Sequence, residues 1–286
     1  LIQKGIMPGT EYKRTSLRFT GTAELSSKLS SSATINYIRG VGDLSVQGQG
    51  ASPYDQVLQT PRDISLLDLK DYKNNKFNTL SGYYGAYTVN PWYFLGEDSY
   101  RSIVDRVLGN VEFTYKPVSW LDVVYRIGTD VINDGRKQIV SKRVIPDPNN
   151  QNHGNEFPGS YSEEAISIRE LTSDLTVSGR FKLTSDLSLR AMVGHNFRER
   201  TTNDQLSKIN DLVIPGLYNL GNTSGPPEAD NTYQKRRLFG VYTDINLAFK
   251  DYLFLGLTGR NDWSSTLPVN NRSFFYPSTN LSFVFS

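Results

Sequence analysis

"RFKLTSDLSLRAMVG", Arg180–Gly194, is the stretch whose reading decides the fold. Two alternating runs flank a polar corner, Lys182-Leu183-Thr184-Ser185-Asp186, which contains neither Gly nor Pro. On the entering side Leu171, Leu175, Val177 and Phe181 share a face opposite Asp174, Thr176, Ser178 and Arg180. On the leaving side Leu187, Leu189, Ala191 and Val193 oppose Ser188, Arg190 and Asn196. Side chains of a strand alternate between faces, so the stretch predicts a hairpin that is apolar on one side and polar on the other.

The same plan recurs along the chain. Leu17, Phe19, Gly21, Ala23 and Leu25 share a face, and after a corner at 26–28 so do Ala33, Ile35 and Tyr37. Val107, Gly109, Val111, Phe113 and Tyr115 lead through "KPVSW" to Leu121, Val123, Tyr125, Ile127 and Thr129. Phe239, Val241, Ile245, Leu247 and Phe249 lead through Lys250-Asp251-Tyr252 to Leu253, Leu255 and Leu257, and a last strand covers Thr279–Phe285. This gives about nine antiparallel strands with four short corners near Lys28, Lys116, Lys182 and Lys250. The remaining connections are long, at about 40–104, 135–164, 199–234 and 264–275. Short turns at one end and long loops at the other are the up-and-down pattern of outer-membrane barrels.

Composition agrees with strands. Tyr and Phe are plentiful at 17 and 14, hydrophobic content is 37%, and Met is scarce at 2. Such a balance favours sheet over helix. Cys is absent, which excludes disulfides and thiolate metal sites. With 31 basic and 29 acidic residues there is no clustered basic excess of the kind nucleic-acid binding needs. No run reaches the roughly 18 apolar residues of a spanning helix, but a spanning strand needs only ~9–11, half of them facing lipid. The opening "LIQKGIMPGTEYKRT" lacks an initiator Met and a leader pattern, so it is expected to be a mature or internal start.

Charges recur on the polar face of the strands, at Glu112, Arg126, Asp130, Asp174, Arg180, Arg190, Asp244, Arg260 and Asp262. In a membrane barrel these would line the lumen. Alternation alone also fits a soluble sandwich, which buries one face of each sheet and wets the other. Runs such as 105–116 and 121–132 favour the barrel, since they exceed the usual ~5–6 residues. The two readings part on one feature: Phe113, Val123, Leu189 and Leu255 either face lipid or pack into a closed two-sheet core.

A catalytic or metal site is not indicated. His153 lies in the polar loop "PDPNNQNHGNEF", and His195 near the outer end of a strand, with no metal-ligand spacing between them. Adjacent Glu163 and Glu164 would point to opposite faces. "GVGDLSVQGQG", Gly40–Gly50, reads as the start of a flexible loop, and Asn222-Thr223-Ser224 as a chance sequon. The loop "GYYGAYTVNPWYFL" concentrates Tyr83, Tyr84, Tyr87, Trp92, Tyr93 and Phe94. Its flat rings suit either packing of the loops or stacking on a sugar or peptide substrate. Trp120 and Tyr252, at corners, read as interface aromatics.

The segment "LTGRNDWSSTLPVNNRSFFYPSTNLSFVFS", Leu257–Ser286, resembles the SusC/RagA family of TonB-linked outer-membrane transporters of Bacteroidetes. The resemblance rests on Arg260, Asp262, Ser264, Ser265 and Leu267, followed by Phe275, Tyr276, Pro277 and Ser278. The stretches Ser52–Lys73, Asn90–Leu95 and Asp105–Leu121 support it. It implies a barrel of about 22 strands closed around a plug. Its implied partners are a SusD-type surface lipoprotein and TonB–ExbB–ExbD, its cargo oligosaccharides or peptides, and its setting outer-membrane lipid; no cofactor is implied. About nine strands cannot close such a wall, so residues 1–286 are expected to be a partial barrel domain, with plug and remaining strands elsewhere. The rivals are a soluble or surface glycan-binding β-protein or adhesin, and a passive porin.

Overall fold

The computed structural model describes residues 1–48, 52–74, 89–145 and 155–285. In chain order its elements begin with β1 (Ile2–Lys4), β2 (Glu11–Ser26) and β3 (Leu29–Leu44), followed by α1 (Pro53–Gln59) and α2 (Pro91–Glu97). Next come β4 (Ser99–Val118), β5 (Leu121–Val140), β6 (Arg143–Ile145), β7 (Asn155–Phe157), β8 (Ser160–Lys182) and β9 (Leu187–Ile209). The last are β10 (Glu228–Phe249), β11 (Leu253–Ser264) and β12 (Ser273–Phe283). Ten strands form one open antiparallel sheet in chain order, with β6 and β7 set aside as a small hairpin in a loop. The four expected corners are all present, and the expected nine strands are the long ones; β1 adds a short tenth.

The corners turn without Gly because hydroxyl side chains satisfy the turn backbone. Thr184 Oγ1 accepts from the backbone N–H groups of Asp186 and Leu187 at 3.2 and 3.0 Å. Ser26 Oγ does the same for Lys28 and Leu29 at 3.2 and 3.1 Å. At the last corner Lys250 and Asp251 adopt φ of 49° and 56°, a conformation Asp tolerates better than most residues. Adjacent hairpins are tied at this end: Lys116 N–H donates to Lys28 C=O at 2.7 Å, and Lys250 N–H to Asp186 C=O at 2.8 Å.

One parity holds across the sheet. Gly21, Ala33, Val111, Ile127, Ser173, Phe197, Phe239 and Trp263 are successive register partners. The neighbouring row is Thr22, Ser32, Glu112, Arg126, Asp174, Asn196, Gly240 and Asp262. Odd residues therefore occupy one face from β2 to β12 and even residues the other. A one-residue slip at any connection would have turned the following strands inside out.

The odd face is mostly apolar from each corner upward for a fixed distance, with polar interruptions such as Thr129, His195 and Asn261. On β5 the stretch is Leu121–Val131 and on β9 it is Leu187–Phe197. Ten steps of ~3.4 Å on a strand tilted by ~40° give a band about 26 Å tall, against the ~25 Å of an outer-membrane barrel. None of the described residues covers it: Phe113 and Ile127 are each 38% exposed and Val193 is 51% exposed. Among the described residues the buried apolar side chains are Val46, Leu69, Phe94, Tyr161, Ile209 and Leu212, all at the loop end. A soluble sandwich needs the opposite arrangement, so the two-sheet core is excluded. Aromatics edge the band on both sides. Trp120 meets Phe181 at 5.1 Å and Tyr252 meets Phe283 at 5.7 Å near the corners, while Phe239 meets Trp263 at 5.6 Å near the loops.

The strands outrun the sequence reading at the loop end. Residues 40–44 and 99–104 continue β3 and β4, residues 135–140 and 160–164 continue β5 and β8, and the last strand is Ser273–Phe283 rather than Thr279–Phe285. The apolar alternation stops there, but the ladder continues on charge pairs on the odd face. Examples are Arg39–Asp105 at 3.3 Å, Arg101–Asp43 at 3.6 Å and Lys137–Glu163 at 2.9 Å. Gly40 is also strand rather than loop. The Tyr12 ring lies across it, and a Cβ there would sit 2.7 Å from the Tyr12 hydroxyl.

Candidate functional site

The even face carries the predicted polar residues, and the register brings four of them into one row: Glu112, Arg126, Asp174 and Asp262. Arg126 Nε donates to Glu112 at 2.9 Å, and Asn196 Nδ2 donates to Asp174 at 2.5 Å. Arg260 Nε donates to Asp262 at 2.8 Å, with its guanidinium 5.5 Å from the Tyr242 ring centroid. Higher on the same face Arg106 Nε donates to Asp130 at 2.8 Å. Nearer the corners Arg180 pairs with Asp122 and stands opposite Arg190, while Asn246 donates to Asp244.

Arg106 and Asp122, which the alternation puts on this face, are there as well, and the sequence reading missed further members: Asp134, Arg136, Glu164, Glu170, Arg198, Arg200 and Arg236. Arg136 bridges Asp134 and Glu164 at 2.8 and 3.0 Å, and Arg198 pairs with Glu170 at 2.6 Å. These seven residues lie above the apolar band, where extending the even parity would have found them. Each pair is partly solvated, so it adds only ~0–1 kcal/mol to stability. Their common effect is a wall of fixed, alternating charge that holds water and can exchange partners with a ligand. Arg200 and Arg236 depart from this balance. They are register partners on β9 and β10, both exposed, with no ion-pair partner among the described residues. On its other side Arg200 faces Glu170 in register, an acid already paired with Arg198, so the cluster keeps a positive excess and its like charges repel, which favours an anion.

The loop end is roofed by α1, α2 and their connections. Pro53 and Pro91 open the two helices, which Ser52 and Asn90 cap. Asn90 Oδ1 accepts from Trp92 N–H at 3.0 Å while its Nδ2 donates to Leu69 C=O at 2.9 Å. Trp92 Nε1 donates to Leu66 C=O at 2.5 Å, and Tyr93 stacks edge-on against Tyr72 at 5.5 Å. Trp92 and Tyr93 thus pack the roof together. Tyr83, Tyr84 and Tyr87, like His153, lie outside the described residues.

A buried ion pair fastens this roof to the wall. Arg143 Nη1 lies 3.1 Å from Asp98 Oδ2, with the two side chains 3% and 1% exposed. Asp98 Oδ1 also accepts from the Ser141 N–H and hydroxyl, each at 2.8 Å. The Arg143 guanidinium sits 4.4 Å from the Phe94 ring centroid and 4.9 Å from that of Phe157. Burial pushes the Tyr93 phenol above its usual range, and burial followed by the hydrogen bond to Glu97 does the same for Tyr72. In the next loop Asn222 is a staple rather than a sugar acceptor. It donates to the carbonyls of Ile214 and Leu217 at 2.8 and 2.7 Å and accepts from Ile214 N–H at 2.9 Å.

His195 lies on the odd face, 5.9 Å from the Phe239 ring centroid. Glu163 and Glu164 point to opposite faces, toward Lys137 and Arg136 respectively. Among the described residues no group of His, Asp or Glu is placed to hold a metal ion. No helix among them is long and apolar enough to cross a membrane, which has no bearing on crossing by strands.

No family model and no curated protein matches the chain by sequence. Solved structures do match by fold. The RagAB peptide transporter superposes with a TM-score of 0.75 at 18% identity, over 96% of this chain and 30% of that one. The RagAB peptide importer in its open-open state gives 0.72 at 20% identity over the same shares. The ferripyoverdine receptor of the outer membrane of Pseudomonas aeruginosa gives 0.50 at 13% identity, over 99% of this chain and 33% of that one. The chain thus spans about a third of the length of these proteins. Its uncovered apolar band, its charged inner face and these superpositions agree: the chain has the fold of a wall segment of an outer-membrane transporter barrel.

Proposed function

We propose that the chain forms part of the barrel of a SusC/RagA-type importer. This importer moves oligosaccharides or peptides across the bacterial outer membrane with energy from TonB–ExbB–ExbD. The observation that carries the reading is a single sheet whose odd face is an uncovered apolar band and whose even face is a wall of paired charges. In this reading the four corners lie in the periplasm, and the roof of α1 and α2 lies outside, where a SusD-type lipoprotein would meet it. Substrate passes along the even face and no bond is broken. Trp92 and Tyr93 shape the entrance, with Tyr83, Tyr84 and Tyr87 as further contact candidates. Of the two cargo classes, the exposed Arg200 and Arg236 favour peptides, whose carboxylates would satisfy them, over neutral glycans.

The deciding experiment deletes the gene and measures uptake of labelled peptides and oligosaccharides by whole cells, with and without a protonophore. Loss of peptide uptake on deletion, together with its suppression by the protonophore, supports the proposal. Uptake that persists when the proton gradient collapses identifies a passive porin. A protein recovered in the soluble fraction with unchanged uptake identifies a binding protein instead.

A further inference from the structure

Above the apolar band, on the odd face, the charge pairs are balanced except at one place. Glu11 answers Lys13, Asp43 answers Arg101, Asp105 answers Arg39, and Glu163 answers Lys137. On β8–β10, however, Glu199 alone faces two cations, with Lys235 Nζ at 2.9 Å and Arg237 Nε at 2.6 Å. Arg169 stands in the same patch, exposed and with no ion-pair partner among the described residues. Arg169, Thr201 and Lys235 are successive register partners, and Leu171, Glu199 and Arg237 form the next row toward the corners. Strands lie ~4.8 Å apart, so Arg169 and Lys235 are anchored about 10 Å from each other. Beside Arg169 and Thr201 lies an open groove of about 610 Å³, lined also by Glu170, Glu199, Asn203 and Tyr233, with Lys235 and Arg237 outside its lining. One row below, the face becomes Phe197 and Phe239.

We infer that the patch formed by Arg169, Lys235 and Arg237 holds the phosphate-bearing headgroup of an anionic lipid, whose acyl chains run down over Phe197, Phe239 and Val193. The inference rests on the outer-membrane reading of the odd face. On the odd face three cations meet one carboxylate, Glu199, and the nearby Glu170 is already paired with Arg198 at 2.6 Å, leaving two positive charges at the level where a bilayer places its headgroups. Arg169 presents a planar fork of donors suited to phosphate, while the acids near it are taken, Glu170 by Arg198 and Glu199 by Lys235 and Arg237. Thr201 adds a hydroxyl between Arg169 and Lys235. A soluble anion would find the same charges but no use for the apolar face beneath them, which is why the lipid is preferred to free phosphate.

The test uses the full-length protein purified in mild detergent and native mass spectrometry. The probes are phosphatidylglycerol and phosphatidylcholine of matched acyl chains, with inorganic phosphate as competitor. Attraction of anionic lipid is worth ~1 kcal/mol per basic residue, so the triple variant Arg169→Gln/Lys235→Gln/Arg237→Gln should bind phosphatidylglycerol about tenfold to a hundredfold more weakly. Arg101→Gln, outside the patch, should bind it like the parent, and Arg169→Lys should keep most of the affinity. Equal retention of both lipids, or unchanged phosphatidylglycerol binding by the triple variant, overturns the site. Full displacement by millimolar phosphate overturns the lipid assignment. Assembly of each variant is checked by heat-modifiable migration on gels. A parent protein that fails to float with membranes would instead refute the barrel reading itself, so the two failures are distinct.

Discussion

Val193 and Met192 are neighbours in the chain, yet Arg at each should have opposite consequences. Val193 is on the odd face, 51% exposed, with Val177 and Thr243 as register partners. It lies six residues above Leu187, where the band begins. Six steps of ~3.4 Å at ~40° tilt place it about 16 Å up a band ~26 Å tall, within ~3 Å of the midplane. Arg at the midplane of a barrel's lipid face costs ~2–4 kcal/mol. That corresponds to a shift of about 30- to 900-fold in the folding equilibrium. Met192 is on the even face, beside Ser178 and Asp244 in register. An Arg there enters the charged wall next to a carboxylate, and its cost should stay below ~1 kcal/mol. The measurement is a urea titration of refolding into lipid vesicles, followed by heat-modifiable gel migration. Val193→Arg should lower the midpoint strongly and Met192→Arg hardly at all. Equal destabilisation, or the reverse order, would refute the assignment of faces and with it the lipid-facing band.

Other outcomes follow from the roof and the inner wall. Asp98→Ala leaves the Arg143 guanidinium buried without its acid, a loss of about 3–5 kcal/mol. Limited proteolysis should then cut the loops around 45–98 and 141–159 much faster while leaving the strands intact; unchanged cleavage would show that the ion pair does not hold the roof. The Tyr93 phenol is raised chiefly by burial, so its contribution is intact below about pH 10 and fades as pH rises through the higher folded value. Loop protection should therefore fall in strong alkali, and Tyr93→Phe should shift that fall to higher pH. Arg200→Gln/Arg236→Gln should depress uptake of acidic peptides more than that of neutral ones, with assembly unaffected. An equal drop for both would assign the two arginines to packing or to a filling domain.

The wall was legible in the sequence because a two-residue period records which face meets hydrocarbon, and hydrocarbon tolerates few exceptions. The stretch Arg180–Gly194 shows this directly. Apart from Ser185 in the corner its odd residues, Phe181 to Val193, are apolar, and its even residues, Arg180 and Arg190 among them, line the other side. The reading failed where that pressure ends. Above the band both faces meet water, so Lys137, Glu163 and Arg169 can occupy the odd face without breaking the strands. Alternation of polarity disappears there although alternation of geometry continues, and the long strands look like loops. The ion pairs that replace it, such as Lys137–Glu163, join residues 26 positions apart by number, and only the register reveals them. The roof was least legible. Asp98 and Arg143 stand at the ends of separate elements, and nothing local marks them as partners. What joins them is the β4–β5 pairing, which sets Ser99 opposite Ile139 and so brings both ends of the hairpin to one place. Because the band is set by lipid and the extensions by pairing, changes above Val131 or Phe197 should alter recognition while leaving membrane assembly intact. Changes below those residues should do the reverse.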